Sequence, residues 1–455
     1  MTRWISTIWR MPDLRSRVLF TLGMLAVYRL GAHIPAPGVN REALAKMIEK
    51  NSQSMFGLYD MFTGGALGNF SVFVLGIMPY ITASIIIQIL TVAIPTLERI
   101  SKEGQQGRGR ITQYTRYATI GIALVQGVLM VALPLESQPP VEGMSIVLDP
   151  GWNFRILTAI TLTAGSCFVM WIGEQISERG IGNGSSLIIA AGILSQLPGA
   201  VQNSILKLRN GETTLLQLTL LGFGLVIVIG LIVWIERAQR RIPIQYAKRI
   251  VGRKVYNGAQ SSHLPLKINT AGVIPPIFAS SVLMAPATIL TFTQGTEGAA
   301  ADFVSALTAA LQPGAWLYNY AEVGLIVFFA YFYTAMVFNP VDVADNLKKH
   351  GGYIPGIRPG RQTAEYIDHI LTRLTGVGAL YMAGICTLPI ILSSQFGTPF
   401  AFGGTGLLIV VNVSLDTVAQ IEAQLLTQHY DGISGPQAPG MSGGRRRLLA
   451  GADPV

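Results

Sequence analysis

Residues Phe70–Ile94 read FSVFVLGIMPYITASIIIQILTVAI, 25 residues without a charge. Crossing ~30 Å of hydrocarbon at ~1.5 Å per residue takes ~20 largely apolar residues. The stretch reads as a membrane-spanning helix with Pro79 inside it. Nine further blocks share its character: Val18–Ile34, Tyr117–Leu133, Phe154–Gly173, Ser185–Val201, Leu215–Ile235, Thr270–Phe292, Ala321–Phe338, Thr375–Leu392 and Phe400–Ile421. Ser185–Val201 is the weakest, being short and opening in a glycine cluster. Ten blocks predict an all-α polytopic membrane protein.

Composition points the same way. Of 455 residues, 50% are hydrophobic and only 13% charged, against ~25% in an ordinary soluble domain. Too little charge is present to cover a soluble surface of this size, and disorder needs the opposite balance. Two cysteines, Cys167 and Cys386, both inside apolar runs, exclude a disulfide scaffold and read as small buried hydrophobes.

Lys and Arg sort sharply between the blocks. Of the 33, 26 lie in the N-terminal segment, the loops after the even-numbered blocks and the C-terminal tail. Six lie on the opposite side, counting Arg155 at the outer edge of block four, and Arg29 falls within block one. By the positive-inside rule this places both termini in the cytoplasm of a multi-pass cell-membrane protein. Block one starts like a signal peptide, but Arg29 interrupts its apolar run, and His33-Ile34-Pro35-Ala36-Pro37 makes a poor cleavage site. It is expected to stay as a span.

Ten spans divide into an N-terminal half over 1–201 and a C-terminal half over 202–424, followed by a tail over 425–455. Five spans per half make any repeat inverted. The second span of each half carries proline: Pro79 in one, Pro275, Pro276 and Pro286 in the other. Paired interrupted helices point to the working site of inverted-repeat proteins, although proline is also simply common in membrane helices. Ahead of block two, the glycine-rich stretch Met55–Asn69 is too short and polar to span. It reads either as a re-entrant segment buried in protein or as an ordinary interfacial loop.

The chemistry of catalysis is missing. No lysine follows a glycine, so there is no P-loop. Gly180-Ile181-Gly182-Asn183-Gly184 resembles a phosphate loop only superficially, since it follows a membrane helix instead of a strand. The histidines His33, His263, His350, His369 and His429 lack metal-ligand spacing. No enzyme, cofactor or metal is expected. Block interiors hold almost no charge: Glu322 sits at a block end, Asp416 toward the cytoplasmic end of block ten, and Arg29 can snorkel outward. A coupled transporter or lipid flippase, the alternative reading, commonly needs a midplane carboxylate. A passive conduit driven by an outside motor fits better, and a scaffold without a conduit leaves the re-entrant segment unexplained.

Two cytoplasmic loops are too long to be connectors. Arg237–Lys267 is rich in Arg and Lys, and Ile242, Ile244 and Tyr246 alternate there with Pro243, Gln245 and Ala247. With the Asn257-Gly258 turn signal, this predicts a hairpin-like protrusion. Asn339–Arg373 shows a helix stop at Gly351-Gly352, a turn at Ile357-Arg358-Pro359-Gly360, then Ala364, Ile367, Leu371 and Leu374 at helical spacing. Topology alone accounts for basic residues beside helix ends. Basic residues on ordered protrusions suggest an acidic or RNA-containing partner.

Several long motifs complete the reading: Gly76-Ile77-Met78-Pro79-Tyr80-Ile81, Gln113-Tyr114-Thr115-Arg116-Tyr117, Gly173-Glu174-Gln175-Ile176-Ser177-Glu178-Arg179-Gly180-Ile181-Gly182-Asn183-Gly184, Ala344-Asp345-Asn346-Leu347-Lys348-Lys349 and Ile354-Pro355-Gly356-Ile357-Arg358-Pro359-Gly360. In these the chain closely resembles the SecY family, along nearly its whole length. The resemblance implies ten helices in two inverted five-helix halves around a central hourglass pore. It implies a protein-conducting channel that passes unfolded secretory chains across the membrane and releases hydrophobic segments sideways into lipid. Its implied partners are SecE and SecG, the SecA motor, the translating ribosome, signal peptides and nascent chains.

Residue roles follow from the same likeness. The implied pore ring is Ile81, Ile85, Ile189, Ile277 and Ile409, with Ser185 at a sixth position where an apolar residue is usual; Leu187 or Ile188 can fill that gap. A plug is implied near 57–69, with Leu58, Met61, Phe62, Gly64 and Gly65. A lateral gate is implied between spans two and seven, whose polar positions are Thr82, Gln88, Ser280 and Ser281. The implied docking residues are Arg240, Arg241, Lys248, Arg249 and Arg358.

Overall fold

The computed structural model of the chain describes residues 11–50, 63–137, 144–211, 214–246, 249–251, 254–256, 262–292, 310, 315–396 and 404–434. Each apolar block contains a helix. In order these are Pro12–Gly31, Met78–Ala93, Gln105–Gln126, Trp152–Arg179, Gly184–Ser195, Leu215–Arg237, Ile274–Phe292, Trp316–Val337, Arg361–Phe396 and Gly404–Ser434. The third continues through a π-helical turn, Gly127–Ala132, into Leu133–Ser137. Among the described residues, seven helical stretches are long and apolar enough to cross a membrane, or eight if Met78–Ala93 and Pro95–Lys102, bent by 102°, form one broken span. These helices are called spans one to ten below.

Span two departs from its sequence reading. Its helix begins only at Met78, with Pro79 in the first turn. Proline is well placed there, since its missing N–H is one the helix start cannot use and its φ is already helical. Pro79 therefore opens the helix instead of interrupting it. Residues 70–77 form a chain of turns, with Phe70, Ser71, Val74 and Leu75 fully buried. Non-helical backbone at membrane depth survives only when packed inside protein. Apolar residues selected for that burial look the same as a helical span. At the other end Ile94 is extended before Pro95, where the chain bends.

Span five gains what its block lacked. Asn183 caps Gly184–Ser195 through its side chain, and Leu197–Arg209 follows after a single turn residue. The glycine cluster ahead of it is a junction between helices. The Ile181 amide donates to Thr21 Oγ1 of span one at 3.0 Å, and the Gly182 amide to Gln420 Oε1 of span ten at 2.8 Å. The Gly184 amide donates to Ser177 Oγ of span four. These amides are engaged in stitching helices together, which leaves no phosphate cradle.

The two long loops fold as one body. Strand β1 (Gln239–Tyr246) pairs antiparallel with β4 (Ser262–Lys267), Gln239 opposite Lys267 and Ile244 opposite Ser262. A short ribbon of β2 (Arg249–Val251) and β3 (Lys254–Tyr256) lies between them in sequence. Its reversal falls between Val251 and Lys254; the expected Asn257-Gly258 turn lies outside the described residues. The second loop contributes helix Pro340–Lys349 and strand β5 (Gly352–Tyr353), which adds to the free edge of β1 to give the order β4-β1-β5. As the alternation predicts, Ile242 and Ile244 are buried. Ile242 and Leu266 pack with Ile354, Ile367 and Ile370 from the second loop and span nine in a small core.

The main core draws on both halves. Ile172, Ile176, Ile188, Ile189 and Ile193 meet Ile277, Phe278, Ile326, Met382, Leu408 and Ile409 in one cluster. Span two contacts span seven, and span five contacts span ten. Span six instead faces outward, exposing Leu216, Phe223, Val226 and Trp234, as a lipid-facing helix does. Cys386 is buried and Cys167 half-buried, both as free thiols.

Candidate pore and lateral gate

Span two carries Ile81 and Ile85 one turn apart, on a single face of its helix. The structure packs both against the central cluster that holds buried Ile189, Ile277 and Ile409. Five isoleucines from spans two, five, seven and ten, far apart in sequence, thus join one apolar mass at the contact of the two halves. Ile409 is wholly inaccessible. Ser185 stands apart: its hydroxyl donates to Asn183 Oδ1 at 2.6 Å, completing the cap of span five. Leu187 packs against the cluster and Ile188 lies within it.

The polar positions of spans two and seven share one hydrogen-bond pattern. Thr82 Oγ1 donates to the Met78 carbonyl of its own helix, and Gln88 Nε2 to Ser84 Oγ. Ser280 and Ser281 hydroxyls both donate to the Ile277 carbonyl. Each of the four polar side chains is satisfied within its own helix. Parting the two helices would break none of these bonds, which removes the cost of leaving buried polar groups unpaired.

Of the plug residues, Leu58, Met61 and Phe62 lie outside the described residues. Gly64 and Gly65 are both left-handed, at φ 69° and 83°. A Cβ on Gly64 would also stand 2.8 Å from the Gly192 backbone of span five, so the approach needs glycine. Two side chains hold this turn. Tyr28 O–H donates to the Thr63 carbonyl at 3.4 Å and Arg29 Nη1 to the Gly64 carbonyl at 2.6 Å, while the Ser195 hydroxyl donates to the Gly192 carbonyl of its own helix at 2.6 Å and lies 3.4 Å from the Gly64 carbonyl. Arg29 therefore does not simply snorkel outward. The signal available in the sequence was its position, a lone cation within an apolar block.

Two further charged features escaped the sequence reading. Arg116 and Glu174 form a two-pronged ion pair, Nε to Oε1 at 2.9 Å and Nη2 to Oε2 at 2.8 Å, joining spans three and four. Both residues lie just beyond the apolar blocks but inside the helices Gln105–Gln126 and Trp152–Arg179. Glu322 was expected at a block end. Span eight starts at Trp316, so Glu322 falls in its second turn, only 4% exposed, with Oε2 lacking a hydrogen-bond partner.

On the platform formed by the two loops, Arg240 and Arg241 are exposed on β1 and Arg358 is exposed in the turn after β5. The Arg358 carbonyl accepts from Thr363 Oγ1 at 2.9 Å, which ties the turn to the start of span nine. Arg249 lies in β2, and Lys248 is outside the described residues. Among the described residues no cluster of His, Cys, Asp and Glu could hold a metal ion.

Comparison with known proteins extends this geometry. A family model described as SecY matches residues 71–418. The protein translocase subunit SecY of Escherichia coli is 48% identical over 419 residues, covering 92% of this chain and 93% of its own. That of Streptomyces coelicolor is 49% identical over 436 residues, covering 93% and 98%. Among solved structures, a protein conducting channel superposes with a TM-score of 0.61 at 19% identity, over 93% of this chain and 94% of its own.

Proposed function

This chain belongs to the SecY family, and from that premise we propose how its parts share the work of a protein-conducting membrane channel. It is a multi-pass membrane protein and a protein translocase subunit. The 26-to-6 division of Lys and Arg supports placing both termini and the basic platform in the cytoplasm. SecE and SecG join it in the membrane. SecA or a translating ribosome docks on the platform, where Arg240, Arg241, Lys248, Arg249 and Arg358 supply positive charge. The halves are 1–201 and 202–424, with 425–455 as a tail.

The observation that carries the reading is the apolar cluster at the contact of the halves, to which spans two, five, seven and ten each bring an isoleucine. Ile81, Ile85, Ile189, Ile277 and Ile409 act as the seal of the idle channel. Leu187 supports it on the side where Ser185 is taken up by the cap. The turn at Gly64-Gly65 carries the plug, with Leu58, Met61 and Phe62 ahead of it. Spans two and seven part to form the lateral gate, with Thr82, Gln88, Ser280 and Ser281 along its edges. Once the seam opens, a segment of ~20 apolar residues partitions into lipid, while a charge at its centre costs ~2.5–3.5 kcal/mol and keeps the chain in the aqueous path. No sequence needs to be recognised.

The test is single-channel conductance in planar bilayers together with export of a reporter bearing a defective signal sequence. Ile409→Asn and Ile277→Asn should let water into the constriction and raise both. Val282→Asn and Val418→Asn, at exposed positions of the same spans, should raise neither. Wild-type conductance and export in both isoleucine variants would overturn the seal.

A further inference from the structure

The point where span seven leaves the platform is bound on three sides. The β1–β4 ladder ends with Gln239 opposite Lys267, and one more bond extends it, from the Ile268 amide to the Ala238 carbonyl at 3.2 Å. A side chain then continues the pattern. Asn269 Nδ2 donates to Glu236 Oε1 at 2.8 Å, linking the start of span seven to the last turn of span six. Asn269 also closes its own turn. Nδ2 donates to the Gly272 carbonyl and Oδ1 accepts from the Gly272 amide, both at 3.0 Å. Gly272 is left-handed at φ 65°, and the helix begins at Ile274.

Neighbouring spans close around this root. Thr270 Oγ1 and Thr334 Oγ1 of span eight share a bond at 3.2 Å. A Cβ on Gly378 of span nine would stand 2.8 Å from the Ile268 carbonyl. Asn269 and Glu236 are 4% and 8% exposed. A buried carboxylate is tolerated only when hydrogen-bonded. Aspartate at this position would lack both donors, and alanine would leave the Glu236 carboxylate without this partner.

The rest of span seven contrasts with its root. As far as Leu283, its side chains meet the neighbouring spans through apolar contacts, Phe278 packing on Phe329 of span eight and Ile277 joining Ile81 and Ile85 of span two in one cluster, and Ser280 and Ser281 bond within their own helix. A helix bonded at one end, and held elsewhere among its described residues by apolar contacts that can slide, tilts about the bonded end. The fixed end is continuous with the strand that carries the platform.

We propose that Asn269 and Glu236 form a pivot that converts displacement of the basic platform into tilt of span seven, so that they position the gate and not the motor. The inference rests on spans two and seven being the gate. It makes Asn269 and Glu236 positioning residues, distinct from the exposed arginines that meet a partner.

The experiment uses the whole translocase in proteoliposomes, with one cysteine in span two and one in span seven at facing positions. Affinity for SecA is measured alongside the rate of disulfide formation, with and without SecA and a non-hydrolysable ATP analogue. In the wild type, SecA should change the cross-linking rate. If it does not, the gate reading itself fails, and the pivot with it. Given that response, Asn269→Asp should abolish it and lower transport about tenfold, while SecA affinity stays within about twofold. Glu236→Gln keeps an oxygen acceptor for Asn269 Nδ2 and should keep most of the response. If Asn269→Asp does not accumulate, Glu236→Ala, which introduces no charge, is read in its place. A response that survives loss of the pair would overturn the pivot while leaving the gate standing. So would a fall in SecA affinity that matches the loss of response, or a Glu236→Gln variant as defective as Asn269→Asp.

Discussion

The isoleucine cluster and the platform are both assembled from distant parts of the chain, from opposite materials. In the cluster, Ile81, Ile85, Ile189, Ile277 and Ile409 make only non-directional contacts, and Thr82 and Ser280 of the same spans bond within single helices. On the platform, Ile242, Leu266, Ile354 and Ile367 form a small private core beneath a ladder of directional bonds. Apolar contacts can slide and part without stranding a donor, whereas a ladder that shifts by one residue turns its buried face outward. One region is suited to opening and the other to transmitting force without deforming. Arg29 and Tyr28 add an intermediate case, two directional bonds on the turn at Thr63 and Gly64 beside an otherwise apolar contact.

The contrast is sharpest where the apolar seam must move. A disulfide between cysteines at facing positions of spans two and seven should stop transport completely, and reduction should restore it. Unimpaired transport with the cross-link fully formed would mean that the seam is static and the contrast false. Next in size is the platform. Arg358→Glu places a carboxylate in an exposed turn held by Thr363, so folding and membrane insertion should be unchanged while SecA-driven transport is blocked. Wild-type transport by that variant would remove the turn from the docking surface.

A smaller effect is expected at the intermediate case. Arg29→Met removes the donor to the Gly64 carbonyl but keeps the apolar stem. Loss of about 1 kcal/mol from a part-buried bond should raise export of a defective-signal reporter about fivefold. Unchanged export would show that the Gly192 packing alone holds the turn. The smallest effect concerns Lys248 and Arg249. Charge reversal there should weaken ribosome binding and reduce the slope of log affinity against log salt by about one per lost phosphate contact. An unaltered slope would mean that these two residues only set topology.

Much of this molecule was legible in its residues. The helices within the ten apolar blocks, the alternation at Ile242 and Ile244, and the helical spacing of Ala364, Ile367 and Leu371 all reappear in the structure. The misreadings share a cause. The turns over 70–77 looked like the start of a span because burial inside protein and burial in lipid select the same side chains. Glu322 looked peripheral because an apolar window ends where charge begins, although the helix starts six residues earlier at Trp316.

The sequence by itself determined the class of protein, the number of apolar blocks, the uneven division of basic charge between their loops and the presence of two ordered basic loops. Each of these depends on a property summed over neighbouring residues: transfer free energy, charge or periodicity. Only the tertiary structure decided that β5 of one loop would complete the sheet of the other, that Arg29 would hold a carbonyl 35 residues away and that Asn269 would reach Glu236 across 33. Those contacts depend on where helices pack and which donor faces which acceptor within hydrogen-bond reach. A single Asn, Arg or Glu in an apolar run carries no mark of its future partner, because the partner is selected by geometry that exists only after the spans have come together.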